Sequence, residues 1–512
     1  MGNRLMRLAR LPWRRAARSL MTVAVALSLV GVGGTASTQR QAYAQPLLLQ
    51  MSVSRPDSTV SVIVQKLAQS GGVEAKVAAL GGKVTRNLSI INSFSAMMPA
   101  RNVPELAKTE GVRWVSLDAP TVDTGKAAPC CTGNSLESIY PQAVGANTLW
   151  NSASNLQGQG IGVAVVDSGV EATHPDLQGR VTAQVTFMPT SKDVSDTYGH
   201  GTHVAGIIAG DGTASGGRYV GIAPKANVIN VKVSDDQGAS TASSVVAGLQ
   251  WVLENKDRYN IRVVNLSLNS SVEESYNVDP LDAAVEVLWF NKIVVVVASG
   301  NTGRNSLFPP ANDPFVITVG AVDNKATVAT KDDTLANFSS SAKTENHITK
   351  PDLSAPGVDL ISTFSSSATK TASKHPDHKA TGFPGSQYYF RMSGTSMSAP
   401  VVSGAVALLL QDEPNLTPDQ VKYRLTSTAA RLPGKADGAG QLNVYAAVTG
   451  TSTASANVGV PASQLLWSGD NPVVWDTVNW NSVNWNSVNW NSVNWNSVNW
   501  NSVNWNSDYW GQ

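Results

Sequence analysis

A chain of 512 residues with 42% apolar and 15% charged side chains has room for about two or three domains with cores of their own. Its 38 Lys and Arg balance 37 Asp and Glu to a formal net charge of +1, which argues against nucleic acid as the main partner. The only cysteines, Cys130 and Cys131, are neighbours; a bond between them would cross-link no loop, so a disulfide framework is excluded.

The chain opens with Arg4, Arg7, Arg10, Arg14, Arg15 and Arg18, then an apolar run from Leu20 to Gly34, then Ala42-Tyr43-Ala44. Basic, apolar, small-residue order predicts a secretory signal peptide over 1–44 and a secreted protein. The competing reading is an uncleaved anchor, but Ser28, Gly31, Gly33 and Gly34 interrupt the run. Arg14-Arg15 hints at a twin-arginine signal with poorly fitting flanks. Residues 59–64 alternate like a half-buried strand. Residues 73–80 read as a helix closed by Gly81-Gly82. Strands follow at 83–88 and 93–98, a helix at 103–109, and a strand at 112–117. This is a small β-α-β-β-α-β unit of ferredoxin-like pattern, occupying 57–119.

Residues 120–157 are rich in Pro, Gly, Thr, Ala and Ser and read as a linker and processing region. The cysteine pair falls here, as free or loosely oxidised thiols or, alternatively, a vicinal-disulfide switch. From 158 to 448 apolar runs alternate with helical stretches. The runs 161–166, 228–233, 263–268, 293–298 and 315–319 have the composition of buried parallel strands. Helices are predicted over 202–209, 242–255, 281–291 and 395–410, and a last one opens at Thr417. The pattern is that of an α/β domain with a doubly wound, mostly parallel sheet, whose site should lie at the carboxyl ends of its strands. His347, His375 and His378 sit in polar stretches and read as loop residues. Residues 449–472 read as a second linker. In 473–512, Val-Asn-Trp-Asn-Ser repeats with Trp480, Trp485, Trp490, Trp495, Trp500 and Trp505. A period of five fits neither strand nor helix, so this is a flexible tail or an aromatic surface that stacks on polysaccharide or a cell-surface partner.

The chemistry lies in separate segments. Asp167 ends the first strand of the large domain, where an Asp either serves a site or caps a turn. His200 stands between Gly199 and Gly201, which leave the imidazole room; His203, one turn on, reads as a packed helix residue. Ser396 begins an apolar helix, at an end where free N–H groups and the positive dipole gather. Pro400 is expected in that helix's first turn. Acid, base and nucleophile thus occur in the order Asp, His, Ser, the order of one of the unrelated triad folds.

Asp167-Ser168-Gly169, His200-Gly201-Thr202-His203-Val204-Ala205-Gly206 and Gly394-Thr395-Ser396-Met397-Ser398-Ala399-Pro400 resemble the signatures of subtilisin-like serine proteases, the peptidase S8 family. Gly221-Ile222-Ala223-Pro224 and Ser299-Gly300-Asn301 match too, and the spacing is most similar to the AprX-like subgroup. The unit at 57–119 resembles the family's inhibitor I9 propeptide. The resemblance implies a proenzyme that processes itself, with the propeptide as its intramolecular inhibitor. It also implies Asp167, His200 and Ser396 as catalytic residues and Asn301 as oxyanion donor. Ser267, Leu268, Asn269, Ser299 and Gly300 would line the substrate, which is protein or peptide. The sequence departs from the family at Asn269, where a glycine is usual. It departs again at 211–217, where the family's calcium loop is replaced. Asp176 matches a calcium ligand of the family, so a structural calcium is left open, although the chemistry requires no cofactor and no metal ligand set is predicted. A surface binding protein whose protease-like domain is a scaffold for the tail is the alternative. A Ser-Glu-Asp carboxyl peptidase would need a Glu-bearing helix in place of the His200 motif, and none is present.

Overall fold

The computed structural model describes residues 44–67, 72–123, 138–188, 192–303, 305–432 and 438–466. The signal segment up to 43, the cysteine pair and the Trp repeats lie outside the described residues. Among the described residues no helix is long and apolar enough to cross a membrane.

The first element, helix α1 (Pro46–Ser54), leads into a four-stranded antiparallel sheet. Its strands are β1 (Thr59–Lys66), β2 (Lys83–Leu88), β3 (Ser93–Pro99) and β4 (Val112–Leu117), in the order β2-β3-β1-β4. Helices α2 (Val73–Ala79) and α3 (Val103–Ala107) connect them. The period-two pattern of β1 sorts its side chains: Val60, Val62 and Val64 join Leu48, Phe94, Met98 and Leu106 in a core of their own. Ile63 points the other way and is buried with Leu88, Ile90 and Ile91 in the main core. The small sheet is therefore covered on both faces, the second one carrying the buried polar side chains Gln65, Ser93, Ser95 and Ser116 beside Ile63.

Next comes β5 (Pro120–Asp123), inside the stretch predicted as a linker. The main sheet follows: β6 (Gly162–Asp167), β7 (Val181–Thr186), β8 (Asn227–Lys232), β10 (Ile261–Leu266), β12 (Val294–Ala298) and β13 (Ile317–Asp323). Two further short strands are β9 (Ala239–Thr241) and β11 (Leu268–Ser270). The sheet order is β14-β13-β12-β10-β6-β8-β7, where β14 is Thr334–Leu335. Only the short β14 edge is antiparallel. Strands β6 and β12 are buried at every position, as expected of parallel strands covered on both faces. Helices α4 (His200–Ala209) and α7 (Thr395–Asp412) pack on one another, and so do α5 (Ala242–Asn255) and α6 (Pro280–Phe290). Thr241 caps α5 through Ser244 N, and Asp279 caps α6 through Leu281 N.

Residues 449–466 do not behave as a free linker. Arg424, fully buried on α8 (Pro418–Ser427), donates from Nε to Ser452 O at 2.8 Å. Asn457 Nδ2 donates to Asp419 Oδ1 at 2.7 Å, and Ala462 and Leu465 enter the main core. Composition hid this because most of these contacts use backbone groups. His378 is also no simple loop residue: its ring is buried, with Nδ1 at 2.8 Å from Arg391 O.

Helix α6 carries Asp282 and Glu286 into the interior beside Asp313, all fully buried. Burial, then neighbouring carboxylates, pushes both Asp282 and Glu286 well above the carboxylate range. Burial lifts Asp313 to about 6, against the pull of Lys350, and Asp279 at the helix cap to about 7. Glu286 Oε1 and Asp313 Oδ2 are both buried with no hydrogen-bond partner among the described residues, and the Asp313 charge opposes ionisation of Glu286. Groups that bind protons more strongly folded than unfolded stabilise the fold fully at pH below the unfolded carboxylate value. That stability is lost as pH rises through the folded values. Glu286→Gln keeps a carbonyl oxygen but cannot ionise. Its melting temperature should exceed that of the parent chain at about pH 9, with the gain shrinking toward about pH 5. Thermal scans in a Ser396→Ala background check this; a gain independent of pH would contradict it.

Candidate active site

Three neighbouring parallel strands end on the same side. β6 ends in Asp167, β10 runs into Ser267-Leu268-Asn269, and β12 runs into Ser299-Gly300-Asn301. Helices α4 and α7 start there with His200 and with Thr395-Ser396. The loops at the carboxyl edge of the sheet thus gather every predicted site residue.

Asp167 is fully buried, and its Oδ1 accepts from Ser168 N at 2.7 Å and lies 2.8 Å from His200 Nδ1. A carboxylate on Nδ1–H assigns the basic lone pair to Nε2. Gly201 makes this approach feasible: a Cβ there would lie 2.1 Å from Gly169 O and 3.1 Å from Asp167 Oδ1. His203 does not compete as a base. Its Nε2 sits 3.0 Å from Phe390 O, and burial drives its pKa down to about 3, so it stays neutral.

One important residue escaped the sequence reading. Asp196 is fully buried and receives Ser168 Oγ at 2.9 Å, Gly199 N at 2.7 Å, Thr202 N at 2.8 Å and Thr202 Oγ1 at 2.6 Å. It satisfies the open N–H groups of α4 and ties that helix to the residue after Asp167. The signal available was an acid just before Gly-His-Gly, at a spacing that matches no standard cap. Burial raises its pKa despite these donors.

Ser396 is the second residue of α7, and Pro400 lies inside the helix rather than in its first turn. Proline there has no N–H to offer the carbonyl four residues back, which is that of Ser396. Ser267 Oγ supplies the missing donor, at 2.9 Å from Ser396 O. In return Ser396 Oγ donates to Ser267 O at 2.9 Å. A second clamp lies one residue earlier. Asn301 Oδ1 accepts from Thr395 N at 3.0 Å and Thr395 Oγ1 at 3.1 Å, while Thr395 Oγ1 accepts from Gly300 N at 3.1 Å. With its oxygen so fixed, the buried Asn301 Nδ2 finds no acceptor among the described residues.

β11 and β9 leave a slot between them, and β5 fills it, antiparallel to both. Asp123 faces Leu268, Val122 faces Asn269 and Thr121 faces Ser270; on the other side Thr121 faces Ser240 and Val122 faces Ala239. Just before β5, Asp118 accepts from Ser243 N at 2.8 Å and Ser243 Oγ at 2.7 Å, at the start of α5. Asn269 turns its amide toward β12, donating from Nδ2 to Ala298 O at 3.0 Å. Gly300 has φ of 103°, which favours glycine, and a Cβ there would also crowd Asn269 Oδ1 at 3.1 Å.

Asp176 does not fit a calcium ligand. Its Oδ1 accepts from Ala214 N at 2.8 Å and its Oδ2 from Tyr389 OH at 2.6 Å. The Arg180 guanidinium already bonds the Asp176 and Ala209 carbonyls and lies 3.7 Å from Asp211. Among the described residues no cluster of His, Cys, Asp or Glu is arranged to hold a metal ion.

A family model described as the subtilase family matches residues 158–442. Serine protease AprX of Bacillus subtilis (strain 168) is 39% identical over 319 residues, spanning 60% of this chain and 71% of that protein. Subtilisin E of the same organism is 32% identical over 373 residues, 72% of this chain and 83% of that protein. Among solved structures, fervidolysin from Fervidobacterium pennivorans, a keratinolytic enzyme related to subtilisin, superposes with a TM-score of 0.60. It is 26% identical, and the match covers 78% of this chain and 62% of that one.

Because protein groups already satisfy Asp176, a chelator should leave the melting temperature of the purified protein unchanged. Tyr389→Phe, which strips a buried carboxylate of a donor, should cost about 1–3 kcal/mol by denaturant titration. A chelator-sensitive parent whose loss Tyr389→Phe does not add to would show that a cation holds Asp176 instead.

Proposed function

We propose that this chain, which belongs to the subtilase family and is a hydrolase acting on peptide bonds, works through Asp167, His200 and Ser396 as a secreted endopeptidase made as a proenzyme. The observation that carries the reading is the side-chain amide of Asn301. Its oxygen is locked by Thr395 next to Ser396, and its N–H group is left over in a buried site. A buried donor without an acceptor is costly unless a reacting oxyanion is to use it.

In the proposed cycle the substrate enters as an extended strand between β11 and β9, pairing with Leu268, Asn269 and Ser270 as β5 does. Backbone pairing supplies affinity for peptide substrates of many sequences. Ser299 and Gly300 continue the wall beyond Asn269. The Ser396 hydroxyl turns its hydrogen from Ser267 O to His200 Nε2 and attacks the carbonyl carbon. His200 takes the proton and passes it to the leaving amine; Asp167 holds the tautomer and stabilises the imidazolium. Asn301 Nδ2 and the Ser396 backbone N–H hold the oxyanion. Water then reverses the steps and frees the acyl group.

The small sheet over 57–119 is read as an I9-type propeptide that guides and inhibits the catalytic domain. Its support is topological, together with the way Pro120–Asp123 lie in the substrate slot like the acyl side of a product. The identity with AprX supports placing the chain in that subgroup. The basic-apolar-small N-terminus supports export. The Trp repeats, outside the described residues, are read as an accessory surface for polysaccharide or cell-surface partners.

Ser396→Ala should abolish casein hydrolysis and leave the precursor joined when expressed in a protease-deficient host. In the active chain the mature N-terminus should fall after Asp123 and before about residue 136, in the stretch whose composition reads as a linker. Precursor still cut in the Ala variant would refute self-processing. Asn301→Ala should lower kcat by about 10²–10³-fold with little change in KM, and an equal loss in binding would argue against an oxyanion role.

A further inference from the structure

The last described residues grip two parts of the molecule at once. Toward the catalytic body, Ser463 N donates to Glu286 Oε2 at 2.8 Å, Ser463 Oγ to Asn277 O at 3.0 Å, and Tyr276 OH to Pro461 O at 3.3 Å. Ala462 and Leu465 are buried in the main core. Toward the small sheet, Gln65 Nε2 donates to Leu465 O at 2.8 Å, and the Arg113 guanidinium reaches Leu465 O at 3.4 Å and Gln464 O. Gln65 is itself buried and also donates to Ile91 O at 3.2 Å. Gln65 and Arg113 lie on β1 and β4, which pair side by side with Gln65 opposite Trp114. The small sheet thus spends two long polar side chains on backbone carbonyls of a segment 351 to 400 residues away in sequence. Those carbonyls stay in place because Leu465 and Ser463 are anchored in the body beneath.

We propose that residues 461–466 are a C-terminal strap that binds the prosegment, so the lifetime of the inhibited complex depends on the C-terminal segment as well as on the substrate slot. This rests on reading 57–119 as an inhibitory prosegment. The slot and the strap grip opposite ends of β4: its carboxyl end runs through Asp118 into β5, while Arg113 near its start holds the strap. Cutting the linker after β5 leaves the strap contacts intact. Release then requires the Gln65 and Arg113 bonds to break, and loss of the strap speeds it.

The test uses the full chain and exploits the fact that Gln65 and Arg113 are absent from the mature enzyme. Parent and Gln65→Ala/Arg113→Ala chains yield the same mature sequence, so any difference in activation reports on prosegment binding. The readout is the lag before hydrolysis of a small chromogenic peptide begins once precursor is purified inactive and diluted, normalised by active-site titration. The double substitution should shorten the lag by about tenfold or more, the loss of buried polar contacts expressed as a rate. Leu465→Ala, which loosens the strap from below, should shorten it too, leave kcat/KM of the mature enzyme unchanged, and add little when combined with the double substitution. An unaltered lag in both variants would overturn the strap. A parent chain that is cut yet shows no lag, and from which the freed segment elutes separately at once, would instead overturn the inhibitory reading itself. If titration shows that the double variant yields too little enzyme, Leu465→Ala alone decides.

Discussion

The site depends on the way the start of one helix is bolted to the ends of two strands. Pro400 deprives the Ser396 carbonyl of its helical partner, and the Ser267 hydroxyl replaces it. The Ser396 hydroxyl answers by bonding the Ser267 carbonyl. Thr395, one residue earlier, is bonded to Asn301 and Gly300 at the end of β12. A nucleophile on a freely fraying helix end would wander by more than the tolerance of a catalytic contact. Here side chains from the two strand ends hold the start of the helix in place. Asp167 and His200, the proposed acid and base, are fixed separately, by their own pairing and by Asp196 beneath the start of α4.

The second constraint is the open slot between β9 and β11. Strand edges left unpaired attract extended chain, which is useful in a peptidase and hazardous in its precursor. Segment 120–123 meets that demand from within the same molecule, and its neighbour Asp118 is held at the N-terminus of α5. The buried acids lie on α6, which packs against α5, and Glu286 there also holds Ser463. Elements distant in sequence thus meet around α5 and α6.

Much of this was legible before any coordinates. Five of the parallel strands announced themselves because burial on both faces forces continuous apolar runs, though the structure shifts their ends by up to four residues; the half-buried β7 carries no such run and was missed. The glycines around His200 mark a close approach, and the Gly201 contact with Gly169 O is its physical cause. What was not legible came from long-range polar contacts. Asp196 gathers donors from Ser168, Gly199 and Thr202, and only the folded turn brings them together. The fate of Asp176 depends on Tyr389, 213 positions away. Residues 449–466 look like a linker because low-complexity composition says nothing about backbone carbonyls that buried side chains will seek. Pro400 was misplaced by one helical turn because glycine and threonine before Ser396 gave no clear cap, and that turn is what creates the need for Ser267.

The claim on which everything else rests is that Ser396 is the nucleophile. Its most direct measurement is a fluorophosphonate adduct located by peptide mapping and mass spectrometry on the mature protein. The account predicts one phosphonylated site, Ser396, appearing in step with loss of peptidase activity. An active enzyme that is inactivated with the adduct on another residue, or with Ser396 unmodified, would contradict it.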